Sequence, residues 1–269
     1  MTIAKESGHW YTKEGIPAYE VEYADKKRKG EFRPTTIKDA RKLNLAPSVT
    51  TINKQIANFG IQNYRENQLI ESAYTCPLKR SDVDSDTWIT KVKEDAQEHA
   101  KVAREKGVYK HAELEKFLKG GYYDPAMEVQ CLAVLDILKS YGIELMDVQP
   151  EKSFAHSTVD GYWYGGKADC PAPDKNFNAD FKTTDFTLVD GKPFKKGKIV
   201  KLHYDEHLVQ NVSYADGIII AHFDKWTLLN IYLSTIDDSV YVHEWDNELF
   251  AHKLVEFQVL TELWYMRNW

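Results

Sequence analysis

The sequence predicts an α/β protein in which helices flank a central mixed β-sheet. Residues 88–119 carry apolar side chains at helical spacing, whereas the segments between about 143 and 184 have the pattern of short strands. Helical patterns return at about 204–217 and 247–267. A run of hairpin strands with helices before and after it is typical of a mixed sheet covered by helices.

No linker divides the 269 residues, so we expect a single domain. Its N-terminal arm, residues 1–45, is expected to contain a β-hairpin and a helix. The core is expected to span residues 46–245, and a C-terminal helix residues 246–269.

Turn and cap signals place the elements of the first half. Residues 9–33 alternate aromatic and polar side chains, which is typical of a hairpin or meander. Thr36 and Asp39 form a capping-box pattern for a helix over 35–43. Pro47 then precedes a helical pattern that continues to about residue 73.

The second half begins with a predicted helix over about 126–140, ended near Gly142. After the central strands comes a lysine-rich segment, residues 191–201, which we expect to be a loop. Two further β-rich stretches are predicted at 218–223 and at 227–245.

Composition limits the class of protein. The first fifteen residues lack a signal-peptide pattern, and no run of about 18 apolar residues could span a membrane. Cys76, Cys131 and Cys170 are odd in number and far apart, which favours a reducing cytosol and disfavours an iron–sulfur or cysteine-rich zinc site. The net charge of −6 does not indicate a nucleic-acid partner, although a basic groove can exist on an acidic protein.

The stretch "FNADFKTTD", residues 177–185, carries the strongest chemical signal. On a strand, Asp180 and Lys182 share a face with Asn178. Asp169 lies eleven residues earlier, and the turn residues between them predict a hairpin that brings the two acids together.

Two converging carboxylates repel each other unless a cation lies between them, and Mg²⁺ prefers such oxygen ligands. A lysine beside the metal can orient a water molecule or stabilise charge on a phosphoryl group. The pattern therefore indicates a metal site for phosphodiester hydrolysis, although the same residues also occur on ordinary solvent-facing strands.

Further segments occur in a recognisable order. They are "GVYKHAELEKFLKGG" from residue 107, "EKSF" from 151, "GYWYGGKADC" from 161, "NADFKTT" from 178 and "HLVQNVSYADG" from 207. Together they resemble the PD-(D/E)XK nuclease superfamily, and more narrowly its RecB-like and Cas4-like branch. "APSVTTI", residues 46–52, is similar to a segment of mitochondrial genome-maintenance exonucleases and their phage relatives.

This resemblance implies a PD-(D/E)XK, restriction-endonuclease-like core and a set of site residues. The implied metal ligands are His111, Asp169, Asp180 and the backbone carbonyl of Phe181. Lys182 would act on the water or the phosphate.

The resemblance also implies supporting residues. Glu151 occupies the first acidic position of the family pattern, while Gln210 and Tyr214, one helical turn apart, would organise Lys182 and the DNA backbone. Ser48 and Thr50 would contact a phosphate. Each has a plainer alternative: a solvated Glu151, a Tyr214 that only packs, and a Ser48 that only caps a helix.

Basic residues supply the expected DNA contacts. Lys192, Lys195, Lys196, Lys198 and Lys201 lie in the segment after the acid–lysine strand, where they could bind phosphates. A second basic run, "KKRK", begins at residue 26.

The function expected from the resemblance is a Mg²⁺- or Mn²⁺-dependent DNA exonuclease acting on single strands or ends in replication, repair or recombination. No iron–sulfur cluster is expected, and the implied setting is a bacterial or phage-infected cytoplasm, with a replication or recombination protein as a further partner. Two alternatives stay open: a double-strand-end exonuclease or endonuclease of the same fold, and a catalytically silent DNA-binding protein.

Overall fold

A computed structural model describes residues 9–56, 59–78 and 80–269. The helices in these ranges are α1 (Ile37–Leu43), α2 (Val49–Asn53), α3 (Phe59–Thr75), α4 (Ser85–Leu118), α5 (Glu128–Ser140), α6 (Asp205–Ile218) and α7 (Phe250–Asn268). The strands are β1 (Trp10–Tyr11), β2 (Glu20–Glu22), β3 (Phe32–Pro34), β4 (Ala46–Pro47), β5 (Lys152–Ser157), β6 (Trp163–Ala168), β7 (Cys170–Ala172), β8 (Phe177–Thr184), β9 (Thr187–Val189), β10 (Lys192–Lys195), β11 (Lys198–Ile199), β12 (Thr227–Ser234) and β13 (Val240–Glu244). The chain is thus a mixed α/β protein, as the sequence predicts.

The described residues group into two compact units. Unit 1 takes those within Met1–Gln55 and Glu113–Trp269, and unit 2 those within Ile56–Ala112. Unit 2 contains α3 and most of α4, and Asp84 begins α4 by accepting a 2.9 Å hydrogen bond from the Thr87 N–H. Across the described residues, no helix combines the length and apolar character that crossing a bilayer requires.

The central sheet of unit 1 has four strands in the order β13-β12-β8-β7. β8 and β12 are parallel, and the two outer pairs are antiparallel, so the sheet is mixed. β7 and β8 form the hairpin that the turn residues near Pro173 predict.

Helices cover both faces of this four-stranded sheet. On one face, Ala179 and Phe181 of β8 belong to a buried apolar cluster with Val134 and Leu138 of α5. On the other face, Leu228 of β12 packs in a second cluster with α6 and α7. Because both faces are buried, polar side chains that point inward from β8 must find partners inside the protein.

A smaller sheet, β5-β6, lies beside α6 in the same unit. Phe154 of β5 makes edge-to-face contacts with Tyr164 and Tyr214. A Cβ at Gly166 would lie 2.7 Å from the Phe154 ring, and a Cβ at Gly217 only 2.0 Å from it. The two glycines therefore leave the space that the aromatic ring fills.

Two sequence predictions for this region are wrong. Residues 218–223 are not a strand, since α6 continues to Ile218 and an irregular segment follows. Ile219 is buried beside Trp226, so its apolar character serves packing rather than strand pairing. The lysine-rich segment 191–201 contains β10 and β11, which pair with β9 in a three-stranded sheet; we call β9–β11 the basic sheet.

The N-terminal arm follows its sequence signals in part. Thr36 and Asp39 form the predicted capping box of α1, and β2 pairs with β3 as a hairpin. β1, however, pairs with β4 at residues 46–47. Residues 1–8 of the arm, and residues 57–58 of the helical pattern that runs to about 73, lie outside the described residues.

We expect the substitution Gly217→Ala to destabilise the protein, although alanine normally favours a helix by about 1 kcal/mol. The added Cβ would overlap the Phe154 ring, and overpacking of this kind costs about 1–3 kcal/mol. Denaturant unfolding measures the difference in the free energy of unfolding. The double variant Gly217→Ala/Phe154→Leu should lose less free energy of unfolding than the sum of the two single variants. Strictly additive effects would show that the two side chains do not compete for space.

Candidate metal centre

The inward-facing side chains of β8 alternate as the strand geometry requires. Ala179 and Phe181 point to the α5 side, while Asn178, Asp180 and Lys182 point to α6. Asn178 donates to the Asn211 side chain of α6 at 2.6 Å. The acid and the lysine of "FNADFKTTD" thus share one covered face.

Asp180 is 1% exposed, so its carboxylate depends on partners within the protein. Asn230, beside it on β12, donates to Oδ2 at 2.7 Å, and Gln210 of α6 donates to Oδ1 at 3.2 Å. The Lys182 Nζ lies 2.6 Å from Oδ2 and supplies the opposite charge. Both carboxylate oxygens are therefore engaged.

Gln210 connects the lysine to α6. Its Oε1 accepts from the Lys182 Nζ at 3.0 Å, and its Nε2 donates to the Tyr214 hydroxyl at 2.9 Å. The helical spacing of Gln210 and Tyr214 places both on the face of α6 that covers the strand. Lys182 is thus fixed at its ammonium group although its side chain is 23% exposed.

Tyr214 is buried, and its pKa is raised well above the ordinary value by burial and by the charges of Asp180 and Asp169. The phenol therefore stays protonated at neutral pH. Edge-to-face contact with Phe154 fixes its ring. Tyr214 consequently both packs and takes part in the polar network.

Asp169 lies between β6 and β7, where the chain leaves the small sheet and enters the four-stranded one. Its Oδ2 accepts a 2.8 Å hydrogen bond from the Phe181 N–H. The Glu151 N–H donates to the Asp169 carbonyl at 3.1 Å, and the two carboxylates offer oxygens within 4.8 Å of each other. Glu151 and Asp169 are therefore brought together from either side of the β5-β6 hairpin.

Glu151 has a φ of 58°, a left-handed conformation that is unusual for a residue with a side chain. Burial raises the pKa of its carboxyl group, and the charges of Asp169 and Glu115 act in the same direction. An ion pair with Lys167 opposes them. The charge on Glu151 is thus balanced by one nearby lysine.

His111 belongs to the part of α4 that lies in unit 2, one residue before that unit ends, and is half-buried. Phe181 is buried in β8 and uses its N–H to bind Asp169. Metal ligation by His111 and by the Phe181 carbonyl stays a prediction.

The oxygen-rich donor set suits a hard divalent cation. Glu151 and Asp169 place two carboxylates close together, which is unfavourable for two negative charges without a cation. Mg²⁺ and Mn²⁺ prefer oxygen ligands of this type. In the protein, two lysines offset part of the negative charge of these acids: Lys167 pairs with Glu151 and Lys182 pairs with Asp180.

Comparison with known proteins does not assign the chain to a family. No family model matches the sequence, and no curated protein matches it. The crystal structure of SSO0001 aligns at 15% identity over 76% of this chain and 87% of that chain, with a TM-score of 0.29. At that TM-score the likeness carries no argument.

The residues predicted to contact phosphates lie at the start of α2 and on the basic sheet. Ser48 is buried and caps α2, accepting from the Thr51 N–H at 3.1 Å, while Thr50 is exposed. The lysines predicted to bind DNA lie on the basic sheet and its turn: Lys192 and Lys195 on β10, Lys196 in the turn, and Lys198 on β11. Their role in binding stays a prediction.

Sequence reasoning missed two residues of this cluster. Asn230 interrupts the apolar run "TLLNIYLS" of β12, and an amide in a strand buried on both faces is a signal for a buried polar partner. Lys167 lies two residues before Asp169, so strand alternation places it on the same side.

We expect Asn230→Ala to lower the free energy of unfolding by about 2–4 kcal/mol, because it removes a hydrogen bond to the buried Asp180 carboxylate. It also leaves the Trp245 Nε1–H, which donates to Asn230 Oδ1 at 2.6 Å, without that acceptor. Chemical denaturation measures the loss. The exposed Asn247→Ala is a matched control, expected to change stability by less than about 0.5 kcal/mol; equal effects of both substitutions would contradict the assignment.

Proposed function

We propose that the protein is a divalent-metal-dependent deoxyribonuclease with a PD-(D/E)XK core. The observation that carries the proposal is the pairing of Asp180 and Lys182 on one buried strand face, with Asp169 at the start of the adjacent strand. The order of motifs in the sequence supplies the family expectation.

The topology around the acids supports this proposal. In the β7-β8 hairpin, Cys170 lies opposite Ala179, so extending the register by one residue places Asp169 opposite Asp180. Glu151 approaches Asp169 from the neighbouring hairpin. Asp169, just before the start of β7, thus lies near Glu151 and, by strand register, opposite Asp180.

The proposed ligands are Asp169 and Asp180, with Glu151 binding the ion directly or through water. His111 is proposed as a further ligand because it occupies the histidine position of the family pattern. The bound ion would polarise the scissile phosphate and lower the pKa of a bound water.

Lys182 has two tasks in this proposal. Its ammonium group donates to the attacking water or to a phosphoryl oxygen and stabilises the negative charge that develops there. Gln210 and Asp180 hold Nζ at 3.0 and 2.6 Å, so the group is oriented before the substrate arrives. Tyr214, protonated because its pKa is raised, fixes Gln210 without adding charge.

The proposed substrate is single-stranded DNA or DNA ends, and the proposed setting is replication, repair or recombination in a reducing cytoplasm, where a replication or recombination protein would be the further partner. All three cysteines are free thiols, which is compatible with such a compartment. The basic sheet continues from the end of β8, so its lysines follow directly after Lys182 in the chain.

We expect Asp180→Asn and Lys182→Met to reduce cleavage of end-labelled linear DNA in Mg²⁺ or Mn²⁺ by about 100-fold or more. The exposed Lys225→Met serves as the control and should cleave like the wild type. Thermal melting confirms that each variant is folded. Full cleavage by either site variant would reject the assignment, and a circular single strand that stays intact would identify an exonuclease.

Metal binding provides a test that does not depend on cleavage. Titration calorimetry with Mn²⁺ should show the largest loss of affinity for Asp169→Asn, because Asp169 lies beside Glu151 and opposite Asp180. Glu151→Gln and His111→Ala should each weaken binding by about 10-fold. Unchanged affinity in Asp169→Asn would show that the ion binds elsewhere.

A further inference from the structure

A cavity opens at the C-terminal end of α6, within unit 1. Its volume is about 470 Å³. Small-molecule sites typically measure about 300–1,000 Å³. The described residues that line the cavity come from β5, from the end of α6 and the segment after it, and from α7, and they are all different from the proposed metal ligands and from Lys182.

Asp216, in the last turn of α6, is the one acid among the described lining residues. The hydroxyl of the buried Tyr164 donates to its Oδ2 at 2.5 Å, and His156 Nε2 lies 3.9 Å from the same oxygen. Burial and the charge of Asp216 raise the pKa of Tyr164 well above its ordinary value, so the hydroxyl stays protonated and remains a donor. His156 and Tyr164 lie opposite each other in the β5-β6 pair and therefore hold the carboxylate from one side.

The second oxygen of Asp216 is left for a ligand. Within the part of the chain that the structure describes, Oδ1 accepts no hydrogen bond. The Asp216 side chain is 19% exposed, so its carboxylate has lost much of its contact with water while it can still be reached from the cavity. A carboxylate in this position favours a charged donor.

The last turn of α6 adds hydrogen-bond acceptors to the cavity. The Ala215 carbonyl accepts from the Ile219 N–H at 2.7 Å. The next three carbonyls, those of Asp216, Gly217 and Ile218, accept no hydrogen bond from any described residue, and all three residues line the cavity. The last turn has no basic residue, and the C-terminus of a helix carries the negative end of its dipole. This end of α6 therefore favours a cation.

The other walls of the cavity are apolar and aromatic. Ile219 and Trp226 belong to the buried cluster with α6 and α7, and Phe223 and Leu254 pack against that cluster. The Trp226 Nε1–H already donates to a backbone carbonyl at 2.8 Å, so its indole offers the ligand an apolar surface. Ile220 lies at the rim and is fully exposed. Such walls suit the apolar body of a ligand, and aromatic rings also attract a nearby cation.

The charges around the cavity exclude an anion as the preferred ligand. No lysine or arginine is found among the described residues that line it. His222, at the rim, is paired with Asp224 at 3.0 Å. The net charge of the whole chain is −6, which attracts cations over a longer distance.

From this geometry we infer that the cavity binds a small organic cation, a protonated amine or a guanidinium group attached to an apolar body. The cationic group donates to Asp216 Oδ1 and to the carbonyls at the end of α6, while the apolar body lies against Phe223 and Trp226. A bare metal ion would leave the apolar walls unused, and a neutral ligand would leave the carboxylate without a countercharge. Binding of this kind does not depend on the proposed nuclease activity.

The first test compares three probes on the full-length wild type by ligand-observed NMR titration near neutral pH. Phenethylamine has both a charge and an aromatic body, phenethyl alcohol has the same body without the charge, and methylammonium has the charge alone. Phenethylamine should bind about 10-fold more tightly than either of the others, because a hydrogen bond to a charged group is worth more than a neutral one. Equal binding of the amine and the alcohol would overturn the inference.

The second test locates the site with variants. Asp216→Asn keeps an oxygen for the Tyr164 hydroxyl and removes the charge, so it should weaken phenethylamine binding by about 10-fold and leave phenethyl alcohol within about twofold. Ile220→Ser, at a fully exposed position, should weaken binding of both probes by about two- to threefold. Asp238→Asn, exposed in the β12-β13 connection, is the matched control and should bind like the wild type.

Thermal melting checks that each variant is folded. Unchanged amine binding in a folded Asp216→Asn would reject the site. If that variant does not fold, unchanged binding in Ile220→Ser rejects it instead, because an exposed side chain can be replaced without loss of the fold.

A last probe identifies the source of the cation. A capped pentapeptide of alanine with one central arginine carries the guanidinium group on a protein chain. It should bind more weakly than phenethylamine, because the peptide offers no aromatic body to the cavity walls. Tighter binding of the peptide would assign the cation to a partner protein and overturn the assignment to a small molecule.

Discussion

The buried carboxylate of Asp180 is the constraint on which this region depends. A charge with 1% exposure on a strand covered by helices on both faces is costly unless donors surround it. Three side chains meet that requirement: Asn230 from the neighbouring strand, Gln210 from α6, and Lys182 from β8 itself. The positions of β12 and α6 relative to β8 are therefore fixed by polar contacts as well as by apolar packing.

Local signals were sufficient to predict much of the fold. The capping box of Thr36 and Asp39, the spacing of α5 and the β7-β8 turn depend on neighbours in sequence, and all three occur in the structure. The strand predicted for residues 218–223 is wrong because apolar residues that pack at the end of a helix have the same pattern as a buried strand. The lysines of 191–201 suggested a loop, yet cross-strand pairing and positive-φ turn residues make strands there.

The candidate site shows the same division. Strand alternation correctly places Asp180 and Lys182 on one face, and helical spacing places Gln210 with Tyr214. Asn230 could not be matched to Asp180 from sequence, because 50 residues separate them and the parallel pairing of their strands is a tertiary property. The sequence thus supplied the chemical groups, while long-range pairing determined which donors serve which acid.

The change of sheet at Asp169 has a consequence for assembly. Glu151 precedes the first strand of the β5-β6 sheet, Asp180 belongs to the four-stranded sheet, and Asp169 is the residue at which the chain passes from one to the other. Glu151, Asp169 and Asp180 therefore come near one another only where the two sheets meet. If the proposed cation binds to these acids, its binding would report that both sheets have formed and docked.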